Sequence, residues 1–475
     1  MKMSKTKWLG LGLMAALLGG CTLAPDYRQP ELPVVEQLPM TQQATAGPSS
    51  AKEGPTVSAE LGWREYFTDA RLQQLITQAL ANNRDLRVSA LNVEAYQAQY
   101  RIQRSALLPT ISGAGSGSKQ RTLSGNGHTT SEVYAASVGI TAYELDLFGR
   151  VRNLKDQALE QYLAMEETHR SARISLVAEI ARAYLTWLAD RELLTITEDT
   201  LRIEEESFQL IEQREREGIA TQLDLAQART SLENARANLA LYQRMVAQEI
   251  NGLTLLVGAP LPQSFFKEAT PLSEQAITGR PPSQLPSRVL LQRPDIMAAE
   301  HALKGAHADI GAARAAFFPA ISLTASAGKI SGELSNLFDS NSGSWLFAPS
   351  ISLPIFTGGR LQAELDAATI RKEITVAMYE QAIQSAFQEA ADALVASSTY
   401  VDQLAAQKAN LAANQEYHTL ARARYQQGLD SFLTLLDAQR SLYTARQRYI
   451  AIQLAQLLNQ VDLYKALGGG WQERS

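Results

Sequence analysis

From Val151 to Glu217 the chain reads VRNLKDQALEQYLAMEETHRSARISLVAEIARAYLTWLADRELLTITEDTLRIEEESFQLIEQRERE, sixty-seven residues without a Gly or Pro. A second such stretch of sixty-seven runs from Leu361 to Gln427, and the glycines Gly218 and Gly428 close the two. As helices, each would extend about 100 Å at roughly 1.5 Å per residue. That is several times the diameter of an ordinary globular domain, so neither is a core helix, and each needs a partner along most of its length. The apolar positions supply one. Ile174, Val177, Ala181, Tyr184 and Leu188 step by threes and fours, and Leu194, Leu201 and Phe208 recur every seven beside Ile196, Ile203 and Leu210. Val376, Tyr379, Ile383, Ala386 and Ala390 repeat the alternation in the second stretch, which is the pattern of a coiled-coil seam. A rod or tether in the cytoplasm fits these helices alone equally well, so the rest of the chain decides.

The chain has 475 residues, 45% hydrophobic and 20% charged, with a net charge of −5. That leaves room for two or three domains, shows no membrane-length apolar run beyond the N-terminus, and gives no basic patch for nucleic acid. The single cysteine excludes a disulfide framework and any multi-thiolate metal site. Its position is informative. Lys2, Lys5 and Lys7 precede an apolar run from Trp8 to Leu18, so residues 1–20 read as an export signal. Leu18-Gly19-Gly20-Cys21 resembles the bacterial lipobox, which implies diacylglycerol and an N-acyl chain on Cys21 as the first mature residue. Thr22 is not the aspartate that retains enteric lipoproteins in the inner membrane, so the resemblance implies the outer one. Several acyl chains make such an anchor effectively permanent, whereas one is marginal. Residues 21–60 carry Pro25, Pro30, Pro33, Pro39, Pro48 and Pro55 without periodicity and read as an extended strap.

An internal repeat organises the remainder. Asp85 matches Asp295, Pro109 matches Pro319, Gly149-Arg150 matches Gly359-Arg360, Gly218 matches Gly428 and Gly258 matches Gly468, each pair 210 residues apart. One design is therefore used twice, over 61–258 and 289–468, joined by a Pro-rich linker over 259–288 and followed by a short tail, 469–475. Each copy is expected to hold a helix, a β-hairpin (about 109–147 and 317–357), a long helix (151–217 and 361–427) and a return helix (219–256 and 429–467).

In the hairpins the hydrophobic period falls to two. Tyr134, Ala136, Val138, Ile140 and Ala142 alternate with small residues, as do Phe317, Pro319, Ile321, Leu323, Ala325 and Ala327, and Trp345, Phe347, Pro349, Ile351, Leu353 and Ile355. Ile111 to Ser118 is a weaker fourth strand, and polar loops are expected at Lys119–Ser131 and about Lys329–Ser344. Strands of this length, apolar on one face and small or polar on the other, suit a membrane β-barrel. Four cannot close one, since such barrels begin at roughly eight strands and open edges are not tolerated in lipid, so the barrel must be shared between chains.

Several motifs now resemble a known family, the TolC-like outer-membrane efflux channels, and most closely their OprM-type lipoprotein branch. They are Cys21 followed by Pro25-Asp26-Tyr27, Gly62-Trp63-Arg64, Tyr143-Glu144-Leu145-Asp146-Leu147-Phe148-Gly149-Arg150, Gly311 to Pro319, Leu353-Pro354-Ile355-Phe356, Leu433 to Arg440, and Tyr464 to Trp471. The resemblance implies a mixed α and β homotrimer, whose twelve-stranded transmembrane β-barrel, four strands per chain, continues as a long α-helical coiled-coil tunnel through the periplasm. It implies no catalysis and no cofactor beyond the lipid on Cys21. The partners it implies are outer-membrane lipid, a periplasmic membrane-fusion adaptor and an inner-membrane, proton-driven resistance-nodulation-division transporter. A duct for metal ions or for type I protein secretion is the alternative within that class, and a lipid-anchored periplasmic spacer the alternative outside it.

By the same resemblance the adaptor docks on the two reversals, Gly218, Ile219, Ala220 and Thr221 with Gly428, Leu429, Asp430 and Ser431. The gate comprises Leu433 and Asp437, directed at the tunnel axis, with Asp224 and Tyr425 as locking contacts. Three Asp437 carboxylates about 6 Å apart would repel by roughly 0.7 kcal/mol per pair in water-like surroundings and about 3 kcal/mol at an effective dielectric near 20. Asp430 stands where TolC carries its locking arginine, which leaves Arg424 or Arg214 for that task. Catalytic readings are weak. The glycines Gly113, Gly115 and Gly117 lack the lysine of a phosphate loop, His301 and His307 do not share a helix face, and Glu204-Glu205-Glu206 reads as a solvated helix face.

Overall fold

The computed structural model describes residues 22–38, 62–125, 127–267, 269–275, 277 and 286–469. The export signal, Cys21, parts of the strap and linker and the tail beyond 469 lie outside the described residues. The long helices are α1 (Ala70–Asn82), α2 (Arg84–Ser105), α3 (Arg150–Arg216), α4 (Gln222–Val257), α5 (Pro294–Ala315), α6 (Arg360–Gln426) and α7 (Phe432–Ala466), with single turns at Trp63–Tyr66 and Ser264–Lys267. Both 67-residue helices are present and unbroken. The return helices begin at Gln222 and Phe432, three residues later than expected, because residues after each glycine are spent on the reversal itself. The chain forms two compact units: 1–31, 92–166 and 298–380 make the first, and 32–91, 167–297 and 381–475 the second.

The first unit holds the sheet. Strands β1 (Ile111–Ser124), β2 (Gly127–Leu145), β3 (Ala320–Ser331) and β4 (Gly343–Ser352) pair antiparallel in the order β1-β2-β3-β4. The register puts Val138 opposite Ala327 and Ala327 opposite Trp345, while Ile140 faces Ala325 and Ala325 faces Phe347. Ser137, Gly328 and Ser344 form a row of the other face. Trp345 is 81% and Phe347 61% exposed, so the apolar face is not the core of this unit. Gly113, Gly115 and Gly117 lie in β1 opposite Val138, Ala136 and Tyr134, and so belong to the sheet rather than to a phosphate loop.

Three strand expectations are corrected. Lys119–Ser131 is not a loop: β1 and β2 stay paired from Ile111↔Ile140 to Ser124↔Gly127, because backbone pairing needs no apolar side chains and Gly125, with φ of 62°, permits a tight turn. The alternation does not run on to Ala142. A bulge between Ile140 and Tyr143, with Ala142 at φ 52° and its N–H donated to Thr324 Oγ1 at 3.1 Å, shifts the phase so that Tyr143 and Leu145 take the apolar face. Phe317 and Pro319 precede β3, and Leu353 and Ile355 follow β4, so these four lie outside the strands.

Also in the first unit, the start of the strap is fastened to helices. Thr22 Oγ1 donates to Asn153 Oδ1 at 2.9 Å, Arg314 donates to the Leu23 carbonyl at 3.2 Å, and Tyr27 donates to Glu300 at 3.0 Å. Gly311 leaves room for Ala24, whose Cα would lie 2.8 Å from any added Cβ. His301 pairs with Glu160 at 2.7 Å, and His307 meets the Tyr27 ring edge-on.

The second unit has an aromatic core. Trp63, Tyr66, Phe67, Tyr184, Trp187 and Tyr464 are buried with Leu72, Leu75 and Ile76 of α1, and Tyr66 stacks on Tyr464 at 4.8 Å. Asp69 caps α1 by accepting from Arg71 and Leu72 N–H. Arg293, 5% exposed, donates to the Ala466 carbonyl at the end of α7 and pairs with Asp295 and Glu389 at 2.7 and 2.8 Å. Of the seam residues, Ile174, Val177, Ala181, Tyr184 and Leu188 are all buried, as are Tyr379, Ile383, Ala386 and Ala390, while Val376 is half-buried.

Candidate functional site

The two helix reversals, both in the second unit, form a matched pair. A helix leaves its last carbonyls unpaired, and a residue in the left-handed region lets the following N–H groups turn back onto them. Gly218 and Gly428 do this at φ 76° and 74°. Gly218 N donates to Glu215 O at 2.9 Å and Ile219 N to Arg214 O at 2.8 Å; Gly428 N donates to Tyr425 O at 3.0 Å and Leu429 N to Arg424 O at 2.9 Å. The same Schellman geometry thus recurs at positions 210 residues apart.

The return helices start differently. Thr221 and Asp224 form a capping box: Thr221 Oγ1 accepts from Asp224 N at 3.1 Å, and Asp224 Oδ2 accepts from Thr221 N at 3.0 Å. Ser431 makes no such side-chain cap, and its hydroxyl lies 3.3 Å from Thr434 Oγ1. Instead Asp430 accepts two bonds from Arg424, at 2.7 and 3.0 Å, and that guanidinium holds its carboxyl below the usual range. Beneath the turns Ile211, Ala228, Phe432 and Leu436 form a small core, joined by Phe208, Ala220, Leu225 and Tyr425.

What remains outside that core is apolar too. Ile219 is 70% exposed and its repeat partner Leu429 62%, while Leu223 and Leu433 stand at 67% and 55%. Both reversals thus carry exposed apolar side chains at repeat-related positions.

The residues expected at the gate are not joined as one group within the chain. Leu433 and Asp437 share the exposed side of α7, opposite buried Phe432, Leu435 and Leu436. Asp437 accepts from the Tyr417 hydroxyl of α6 at 3.1 Å, which raises the Tyr417 pKa. Asp224 is engaged in its cap, and Tyr425 accepts from Arg214 at 3.0 Å with the guanidinium 5.3 Å from its ring centre. The bond expected between Asp224 and Tyr425 is therefore not formed within one chain. Tyr417 was not legible as a site residue, since only the packing of α6 on α7 brings it to Asp437. The acidic run is also corrected: Glu206 is exposed, but Glu204 is buried at 5% exposure, because it faces α4 and α7. Cys21 lies outside the described residues.

A sheet with two unpaired edges and an outward apolar face, joined to paired 67-residue helices, defines an outer-membrane channel of the tunnel-forming class. The family model described as "Outer membrane efflux protein" matches residues 75–259 and 285–469, two segments themselves displaced by 210, and the chain belongs to this family. It is 51% identical to the antibiotic efflux pump outer membrane protein ArpC of Pseudomonas putida, over 98% of this chain and 96% of that one. It is 43% identical to the cation efflux system protein CusC of Escherichia coli, over 97% and 98%. Among solved structures, the open state of the Neisseria gonorrhoeae MtrE outer membrane channel superposes with a TM-score of 0.85 at 41% identity, covering 95% of this chain and 99% of that one.

Proposed function

We propose that the chain is the passive outer-membrane exit duct of a three-part efflux pump, assembled as a homotrimer with twelve barrel strands. The observation that carries this reading is the sheet: β1 and β4 each pair on one side only, and the apolar face bearing Trp345 and Phe347 is exposed. Lipid tolerates no open edge, so other copies must complete the barrel. The helices support the same reading. α2 runs for 22 residues without one buried side chain, and α6 exposes Ile370, Ile374 and Met378 as a stripe at i, i+4 and i+8. Such a stripe needs a neighbouring helix to cover it.

The tips bearing Ile219, Leu429 and their neighbours dock a periplasmic adaptor, which connects the duct to a proton-driven inner-membrane transporter. Cys21 carries the lipid, and the bonds of Thr22, Leu23 and Tyr27 keep the following strap on the first unit. The cargo is organic rather than ionic. Relatives at 51% identity are named for antibiotic and toluene efflux, whereas the cation-system relative stands at 43%. Expression in a strain lacking its own duct, with a cognate adaptor and transporter, should restore resistance to solvents and organic antibiotics. Restoration of resistance to metal cations alone would favour the metal-ion reading.

A further inference from the structure

Glu204 lies on α3 at 5% exposure, and its Oε2 has no hydrogen-bond partner among the described residues. It borders a polar cavity of 360 Å³ walled by α3, α4 and α7. From α4 the wall is hydroxyl, amide and methyl groups, with no titratable side chain. From α7 the titratable groups are Arg440, which donates to Ser231 Oγ at 3.1 Å, and Tyr443, whose hydroxyl is 2.8 Å from Thr197 Oγ1. Beside them Gln439 has a buried Oε1 that also lacks a partner. On α3 itself the adjacent Glu205 is turned to Arg236 of α4 at 3.5 Å.

A buried carboxylate with an unmade bond is costly, and the group escapes that cost by holding a proton. Burial pushes Glu204 up to about 7, with Arg440 acting in the opposite direction. The neutral acid then supplies a donor on the same cavity where Gln439 presents an unused acceptor. Gln439 and Arg440 follow Asp437 by two and three residues, so any displacement of α7 that carries Leu433 and Asp437 away from a constriction also moves one wall of this cavity.

We propose that Glu204 is a proton-operated latch in the duct: neutral, it holds α7 against α3 and α4, and ionised, it releases that wall to water. The latch rests on the duct reading. Because the packed arrangement has the raised pKa, its stabilisation is complete at low pH and is lost as pH rises through about 7. Relative to a hydrated carboxyl, the shift is worth on the order of a hundredfold in the packed-to-released ratio per subunit at high pH.

Full-length protein in planar bilayers, titrated between roughly pH 5 and 8.5, should show an open fraction that changes with pH, and a flat titration would overturn the latch. Glu204→Gln, neutral at every pH, should hold the packed arrangement across the range and lose that dependence. A Glu204→Gln titration matching wild type would overturn the latch. Infrared difference spectra of wild type against Glu204→Gln test the proton itself: a protonated carboxyl band at pH 6 that fades above pH 7 is expected. Its absence at pH 6 overturns the proposal whether or not the protein conducts. If the band is present but no conductance occurs at any pH, the duct reading fails and the latch falls with it.

Discussion

Arg214 donates from Nη1 to the phenolic oxygen of Tyr425 at 3.0 Å, tying the last turn of α3 to the last turn of α6. The same guanidinium lies over the Tyr425 ring, and that ring packs beside Phe432, 5.9 Å away, at the start of α7. One side chain therefore couples three of the four helices at the reversals. Each such contact is worth only about 1 kcal/mol, too little to unfold the chain but enough to bias a closed end. Tyr425→Phe with Leu433→Ala should leave the yield of folded protein unchanged while raising resting conductance and sensitivity to large antibiotics such as vancomycin. Wild-type leakage in that double variant would remove the lock from the gate.

At the tips, both glycines need a left-handed backbone that costs a β-branched residue roughly 1–2 kcal/mol. Any Cβ added at Gly218 or Gly428 meets open space, so the strain is in the backbone and not in packing. Gly218→Val or Gly428→Val should distort the turn, weaken cross-linking to the adaptor and lower efflux, with assembly intact. Full efflux and cross-linking in both variants would place the docking surface elsewhere.

Among the described residues Asp437 bonds only to Tyr417, and both are exposed. If threefold symmetry gathers these carboxylates, Asp437→Ala should reduce cation selectivity and block by multivalent cations, and Tyr417→Phe should increase both by freeing the carboxylate. Single-channel recordings with unchanged selectivity and block in Asp437→Ala would exclude the ring as the constriction.

Much of this was legible because Gly and Pro punctuate helices so strongly. The absence of both over 151–217 and 361–427 placed each long helix to within one residue, and the 210-residue offset foretold that Gly218 and Gly428 would share one conformation. The bulge at Ala142 was not legible, since nothing in Ile140-Thr141-Ala142-Tyr143 marks an extra residue and only pairing with β3 reveals the shift in phase. Glu204 was misread for a related reason. Three successive acids point in three directions around a helix, and which one is buried depends on where α4 and α7 lie.

Asp190 offers a test of burial in the second unit. It is 4% exposed, its Oδ2 has no partner among the described residues, and burial, with the Glu249 carboxylate adding to it, pushes its pKa up to about 6. A raised pKa means stability that is present at low pH and lost as pH rises through that value. Asp190→Asn should therefore raise the melting temperature at pH 8 by a few degrees and change it little at pH 5. A uniform loss at both pH values would show that the carboxylate has a partner on which the fold depends.

The central claim is that three chains share one barrel. Native mass spectrometry of the detergent-extracted protein, run on the preparation that conducts in bilayers, tests it most directly. The account predicts a single species of three chains, each carrying the mass of its lipid. A conducting monomer or dimer would contradict it, because four or eight strands from these edges would then close a barrel without the third copy.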